Sequence, residues 1–266
     1  MIRALLVLLM LGGSGPALAQ TSCPASYVGG RAPAVINPNL KTRLREVCYP
    51  RYAVGHSGLL RVPIWSAERM TAERAAEALA TSGGDYDFAA EPALAPSERA
   101  ELSDYKSSGF DRGHLTPSGN FATTEDDQAT FTLANVVPQH ACLNQRTWRK
   151  MEESLLKRAA KTPEIFVVTG PLYEGAQLAT LKNQNRVFVP TSTYKAIYIP
   201  GKGAGVYVAT NPMTRAEVPR WSVISVAELA ARAGLDVFPA LSPATKSKVL
   251  ALKLPKEPKK ACKVGR

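Results

Sequence analysis

The sequence predicts an α+β fold built on a mixed, largely antiparallel central sheet flanked by helices. Three observations carry this. Short apolar runs of strand length recur from Arg51–Val54 through Val206–Ala209. Helical spacing is confined to a few segments between them. No regular strand–helix alternation of the kind a parallel sheet requires is present. The chain has 266 residues, of which 45% are hydrophobic. That excludes a disordered tail, a collagen-like repeat and a disulfide-dominated mini-protein, and it is long enough to bury a core without staples.

Taken in chain order, the first 19 residues lie outside the fold. Arg3 supplies a positive start, Ala4–Leu11 (ALLVLLML) a short apolar stretch, and Ala17-Leu18-Ala19 small residues at cleavage spacing. This reads as a signal peptide over residues 1–19 rather than a membrane span, which needs about 18 or more apolar residues. The expectation is export, secreted or periplasmic, with cleavage near Ala19. Residues 20–49 read as an irregular N-terminal arm rich in Pro, Gly and small residues. Residues 50–245 form the main domain, and residues 246–266 a basic C-terminal tail with eight basic residues against one acid.

Within the domain, Arg51–Val54 and Leu59–Trp65 read as two strands around a turn at Gly55–Gly58. Thr71–Ala80 is helix-prone and broken at Gly83-Gly84, and Asp85–Ser108 is a loop punctuated by Pro92 and Pro96. Phe131–Val137 reads as a strand ended by Pro138. Asn144–Lys161 reads as a helix, because Trp148, Met151, Leu155, Leu156 and Ala159 recur at helical spacing. Ile165–Thr169, Arg186–Pro190, Tyr194–Ile199 and Val206–Ala209 read as strands, and Val226–Ala233 as a helix stopped by Gly234.

The net charge is +11, and the chain stays strongly basic once the signal peptide is removed. A basic exported protein favours polyanions, nucleic acid among them. Four cysteines, Cys23, Cys48, Cys142 and Cys262, suggest two disulfides with three open connectivities. One pairs Cys23 with Cys48 and Cys142 with Cys262. No Cys-x-x-Cys unit supports a zinc ribbon.

The residues that carry chemistry sit in two blocks. Asp111-Arg112-Gly113-His114 gathers an acid, a base and an imidazole, a set costly to bury without a purpose. His140 is expected to be an exposed loop residue, and His56 a structural or surface one. Downstream stand Asn135 and Gln139, then Asn144, Trp148 and Glu152, spaced by four and so on one helical face. An amide oxygen and a carboxylate on one stripe are hard ligands suited to Mg²⁺. The competing reading for Glu152 is a surface residue paired with Arg149. Together these groups can cut a phosphodiester: a neutral His takes a proton from water, the metal neutralises phosphate oxygens, and an Arg holds the phosphate charge.

On these residues the sequence resembles the DNA/RNA non-specific endonuclease family, nucleases with a ββα-metal active site. The resemblance rests on Asp111-Arg-Gly-His114, on Asn135, Gln139, Leu143-Asn144-Gln145, Trp148 and Glu152, on Val168–Tyr173, on Val223–Leu241, and on Tyr52, Pro63 and Trp65. It covers roughly residues 50–242. It implies His114 as general base, Asn144 as the direct ligand of one Mg²⁺ (Mn²⁺ as substitute), and Glu152 as the holder of a metal-bound water. Arg112 would stand near the scissile phosphate, with Asn135 and Gln139 as hydrogen-bonding support and Asp111 as a positioning residue. DNA and RNA substrates and 5′-phosphorylated products follow from the same resemblance, which also admits a homodimer. One departure stands out: where the family carries an upstream arginine, this sequence aligns Tyr86, and the nearest arginines, Arg74 and Arg99, do not match. The alternative expectation is therefore a nucleic-acid-binding protein whose nuclease site has weakened or decayed. A nuclease restricted to a narrower substrate, such as single strands, is a third.

Overall fold

A computed structural model describes residues 21–182, 186–214 and 216–252. The strands are β1 (Ala34–Val35), β2 (Leu44–Cys48), β3 (Tyr52–Ser57), β4 (Val62–Thr71), β5 (Asp111–His114), β6 (Val136–Gln139), β7 (Glu164–Leu172), β8 (Ala179–Thr180), β9 (Phe188–Val189), β10 (Ser192–Ile199), β11 (Gly203–Thr210), β12 (Trp221–Ile224) and β13 (Leu235–Asp236). The helices that matter here are α1 (Ala72–Leu79), α2 (Leu102–Tyr105), α3 (Thr124–Gln128), α4 (Arg149–Ala159) and α5 (Val226–Ala233). Seven strands form the central sheet in the order β12-β11-β10-β7-β4-β3-β2, and every neighbouring pair is antiparallel. The expected α+β architecture is the one observed.

The sheet is covered on both faces, which explains why its central strands are apolar almost throughout. On one face Met151, Leu155, Leu156 and Ala159 of α4 pack with α1 against Ile165, Val167, Ile197 and Tyr207. On the other, Leu229 of α5 and the segment Leu235–Phe238 close over Trp65, Val168, Ala196 and Val206. Each fully buried leucine or isoleucine in these layers contributes about 2 kcal/mol. The two flanking helices start and stop where their sequences dictate. Thr71 accepts from the backbone N–H of Arg74 at 3.4 Å, and Ser225 from that of Glu228 at 3.1 Å, each satisfying an orphan donor of the first turn. Gly234 ends α5 in the left-handed conformation at φ 64°, which glycine adopts without steric cost.

Several elements differ from the sequence reading, each for a physical reason. The turn expected at Gly55–Gly58 lies at Gly58–Arg61 instead, and β3 runs through Gly55 to Ser57. That glycine is needed for close approach, because an added Cβ would lie 2.2 Å from the Trp65 ring. Residues 44–48, assigned to the irregular arm, form edge strand β2 paired with β3, and the Cys23–Cys48 disulfide ties the preceding arm to it. The strand expected from Phe131 begins only at Val136. The Thr132 hydroxyl accepts from the backbone N–H of Ala134 at 3.2 Å, a local alternative that favours a turn over a ladder. The predicted helix from Asn144 starts with a π-helical stretch, Leu143–Trp148, before α4. The signal peptide, Cys262 and most of the basic tail lie outside the described residues. Among the described residues, no helix is long and apolar enough to cross a membrane.

Candidate active site

The Asp-Arg-Gly-His segment is strand β5. It pairs with β6 so that Asp111 faces Gln139, Gly113 faces Val137 and His114 faces Val136. The two sequence blocks thus become one two-stranded wall. Gly113 has a steric cause: a Cβ there would lie 2.2 Å from the amide carbon of Gln139. Gln139 is buried across that glycine, and neither its Oε1 nor its Nε2 has a hydrogen-bond partner among the described residues.

Asn135 braces the wall from behind. Its Oδ1 accepts from the Ser66 hydroxyl at 3.0 Å and the Thr116 N–H at 3.1 Å, while its Nδ2 donates to the carbonyls of Thr116 at 2.9 Å and Thr130 at 3.2 Å. All four hydrogen-bonding sites of the amide are occupied, and the residue is fully buried. Asn135 was expected to support the site through hydrogen bonds, and every polar atom of its amide is engaged by Ser66, Thr116 and Thr130.

His114 is held by rings. Phe88 lies 5.0 Å and Phe131 4.9 Å from its centroid, and Tyr86 meets Phe131 edge-on at 5.3 Å. Its Nε2 is buried and has no hydrogen-bond partner among the described residues. Burial, with the charges of Lys195 and Arg112 acting in the same sense, pushes its pKa down to about 4. The imidazole is therefore neutral at neutral pH, with a nitrogen able to take a proton. Arg112 is exposed, and its guanidinium lies over the Phe88 ring at 4.7 Å.

The helix face carries the other half. Asp111 Oδ2 accepts from Asn144 Nδ2 at 3.0 Å and from Gln145 Nε2 at 2.8 Å. Because the amide nitrogen of Asn144 is tied down, its carbonyl oxygen is turned away from Asp111. Trp148 donates to Thr193 Oγ1 at 2.7 Å, and Glu152 Oε1 meets Lys195 Nζ at 2.8 Å. Thr193 and Lys195 alternate on one face of β10, so the stripe Asn144–Trp148–Glu152 lies along the sheet and wall. Arg149, the alternative partner considered for Glu152, pairs with Glu153 at 3.0 Å.

Sequence reasoning missed Lys195 and Glu68. Lys195 is 1% exposed. It also donates to the Leu115 carbonyl at 3.1 Å, next to His114, and to Thr169 Oγ1 at 3.3 Å. One ammonium thereby links the acid on α4 to the histidine strand. Glu68 is buried with Asn120 Nδ2 at 2.9 and 3.0 Å from its two oxygens. Burial raises its pKa to about 7 against the opposing effects of Asn120 and Lys195. A lysine between Tyr194 and Ala196 in an otherwise apolar strand, and a glutamate between Ala67 and Arg69, were the available signals. His140, expected to be exposed, is 4% exposed; its backbone N–H donates to Asn211 Oδ1 at 2.7 Å.

The arginines near the Tyr86 departure serve the scaffold. Arg99 donates to the carbonyls of Glu91 and Leu94 and to Glu101, and Arg74 reaches the Arg69 carbonyl and the Thr71 hydroxyl.

The donor set fits a hard divalent cation. The Asn144 carbonyl oxygen and the second oxygen of Glu152 are hard donors, and the buried, unpartnered atoms of His114 and Gln139 call for water or ligand. Among the described residues, the single cluster of three His, Cys, Asp or Glu ligand atoms is Cys23, Glu46 and Cys48, and its sulfurs are consumed by the disulfide.

The chain is similar to known nucleases in sequence and fold. Residues 32–244 match the family model for DNA/RNA non-specific endonucleases. Nuclease C1 of Cunninghamella echinulata var. echinulata is 31% identical over 213 residues, covering 73% of this chain and 82% of that protein. Human mitochondrial endonuclease G is 31% identical over 63% of this chain and 59% of its own length. A Nostoc nuclease is 33% identical over 54% of this chain and 56% of its own length. The chain thus spans somewhat more than half of those last two relatives. The crystal structure of EndoG in its complex with EndoGI superposes with a TM-score of 0.66 at 25% identity, covering 77% of this chain and 89% of that one. The long family match, the shared fold and the assembled Asp-Arg-Gly-His wall agree: the chain belongs to the DNA/RNA non-specific endonuclease family.

Proposed function

We propose that the protein is an exported, Mg²⁺-dependent, sugar-non-specific endonuclease that hydrolyses DNA and RNA to 5′-phosphorylated products. The observation that carries this reading is the neutral His114 with a buried, unpartnered Nε2 beside an exposed arginine and the Asn144–Glu152 stripe. His114 Nε2 takes a proton from the attacking water as the new oxygen–phosphorus bond forms. The bond from phosphorus to the 3′-oxygen breaks, leaving the phosphate on the 5′ side. Arg112 holds the phosphate charge. Asn144 through its carbonyl oxygen, and Glu152 through a water, would hold the metal, with Asp111 and Lys195 fixing their orientations. When bound, Mg²⁺ (or Mn²⁺) supplies charge neutralisation at the phosphate and the leaving oxygen. Binding through phosphates rather than base edges accounts for absent sequence preference. Cleavage near Ala19 would release the chain to the periplasm or the medium, and a homodimer is consistent with the family.

The test is to incubate residues 20–266, disulfides intact, with supercoiled plasmid and separately with total RNA, each with Mg²⁺, with excess EDTA, and beside His114→Ala. Metal-dependent loss of both substrates, absent in the variant, is expected. Plasmid retarded but uncut under every condition would establish the binding-only alternative.

A further inference from the structure

The site opens at Asp111, Arg112 and Asn144 into a cleft whose far, apolar wall has no part in the reaction described. Phe88, Tyr105, Phe110, Leu102, Arg112 and Asn144 are among its lining residues, and its volume is about 620 Å³. That is within the range of sites that take small organic groups. Its far wall is the loop from α2 into β5. Ser107 at φ 56° and Gly109 at φ 86° bend this loop sharply, so that Phe110 is brought to the cleft.

The rings of this cleft differ in how they are used. Phe88 already carries the Arg112 guanidinium on its ring and touches His114. Phe110 is half-buried and, among the described residues, has neither an aromatic nor a cationic partner on its ring. Leu102 next to it is 45% exposed. An open aromatic ring, an exposed leucine and a guanidinium around one cleft are the components that hold an unpaired base by stacking. The cleft also shares Arg112 and Asn144 with the catalytic site, so its occupant would be continuous with the strand being cut.

We propose that this cleft is a subsite for one unpaired nucleobase of the substrate strand, stacked on Phe110 beside Leu102 with Arg112 at the rim. The proposal rests on the nuclease reading and specifies it: the enzyme uses the subsite on single-stranded DNA or RNA and on frayed or distorted duplex, and leaves it empty on intact duplex.

The experiment compares wild type, Phe110→Ala and Phe110→Leu. The leucine variant keeps apolar volume where Phe110 packs against the core, and thermal unfolding checks that each variant folds. An oligonucleotide carrying a single 2-aminopurine is titrated in EDTA as a single strand and as a duplex. Cleavage of the same oligonucleotides is then followed in Mg²⁺. Wild type should quench 2-aminopurine in the single strand but not in the duplex. Both variants should lose that quenching and raise KM on single strands about 10-fold, with kcat and duplex cleavage within twofold of wild type. Equal losses on single strand and duplex, or unchanged quenching in Phe110→Leu, would overturn the subsite. If wild type cleaves neither substrate, the nuclease reading fails, and the quenching still decides the subsite.

Discussion

The two halves of the site are built on opposite terms. On the helix side the stripe residues are already matched: Asn144 and Gln145 to Asp111, Trp148 to Thr193, Glu152 to Lys195. On the β5–β6 side, the Nε2 of His114 and both amide atoms of Gln139 are buried without a protein partner. Unmade hydrogen bonds of buried groups cost about 1–3 kcal/mol each. The fold therefore concentrates polar atoms waiting for solvent or ligand beside the atom that would take the proton, and spends matched pairs on holding the metal-facing groups still. Rigid support and unsatisfied reactive atoms are complementary requirements of a preorganised site.

The sharpest way to break this contrast is to remove the open side. His114→Ala should lower the cleavage rate by about 10³-fold or more, with plasmid binding and melting temperature close to wild type. A variant that keeps cutting would show that the proton acceptor lies elsewhere. On the matched side, Lys195→Met leaves Glu152 without its cation. Breaking such a buried pair should cost about 3–5 kcal/mol in stability, measured by urea unfolding, and should weaken Mg²⁺ binding by calorimetry. If stability and Mg²⁺ affinity both hold, the ammonium is not what fixes the acid.

A third test uses a histidine away from the reaction. His56 is buried with Nε2 at 2.9 Å from the Glu98 carbonyl oxygen, and burial pushes its pKa to about 4. Its folded-state value lies below the unfolded value of about 6.5. The unfolded chain therefore binds the extra proton between those limits. Stability is full above about pH 6.5 and falls as pH drops towards 4, by about 3 kcal/mol for this group. His56→Gln should flatten the dependence of the melting temperature on pH in that window relative to wild type; parallel curves would remove His56 as the source. The smallest effect is expected at Tyr86, which buttresses His114 only through Phe131. Tyr86→Phe should leave the rate within twofold, whereas Tyr86→Ala should reduce it by about fivefold through loss of an edge contact worth roughly 1 kcal/mol. A large loss in Tyr86→Phe would give its hydroxyl a direct part.

Much of the fold was legible because its signals are local. The α4 periodicity placed Met151, Leu155 and Leu156 on the sheet, and Gly234 ended α5. Reading failed where a residue's purpose is a distant neighbour. Gly55 looks like a turn signal, yet it accommodates the indole of Trp65. Asn135 reads as hydrogen-bonding support, but the fold alone supplies its partners Ser66, Thr116 and Thr130.

The sequence by itself determined the candidate site side chains and their local frames. The Asp-Arg-Gly-His run, the four-residue spacing of Asn144, Trp148 and Glu152, and the caps of the helices are encoded within a few residues of one another, where chain geometry fixes the outcome. Only the tertiary structure decided that Lys195, on a strand 43 residues beyond Glu152, would neutralise it. The same holds for Gln139 crossing Gly113 without partners and for Phe110 opening onto a cleft beside Asn144. Pairings of that kind depend on sheet register and on exclusion of water, and both arise only after distant segments have packed.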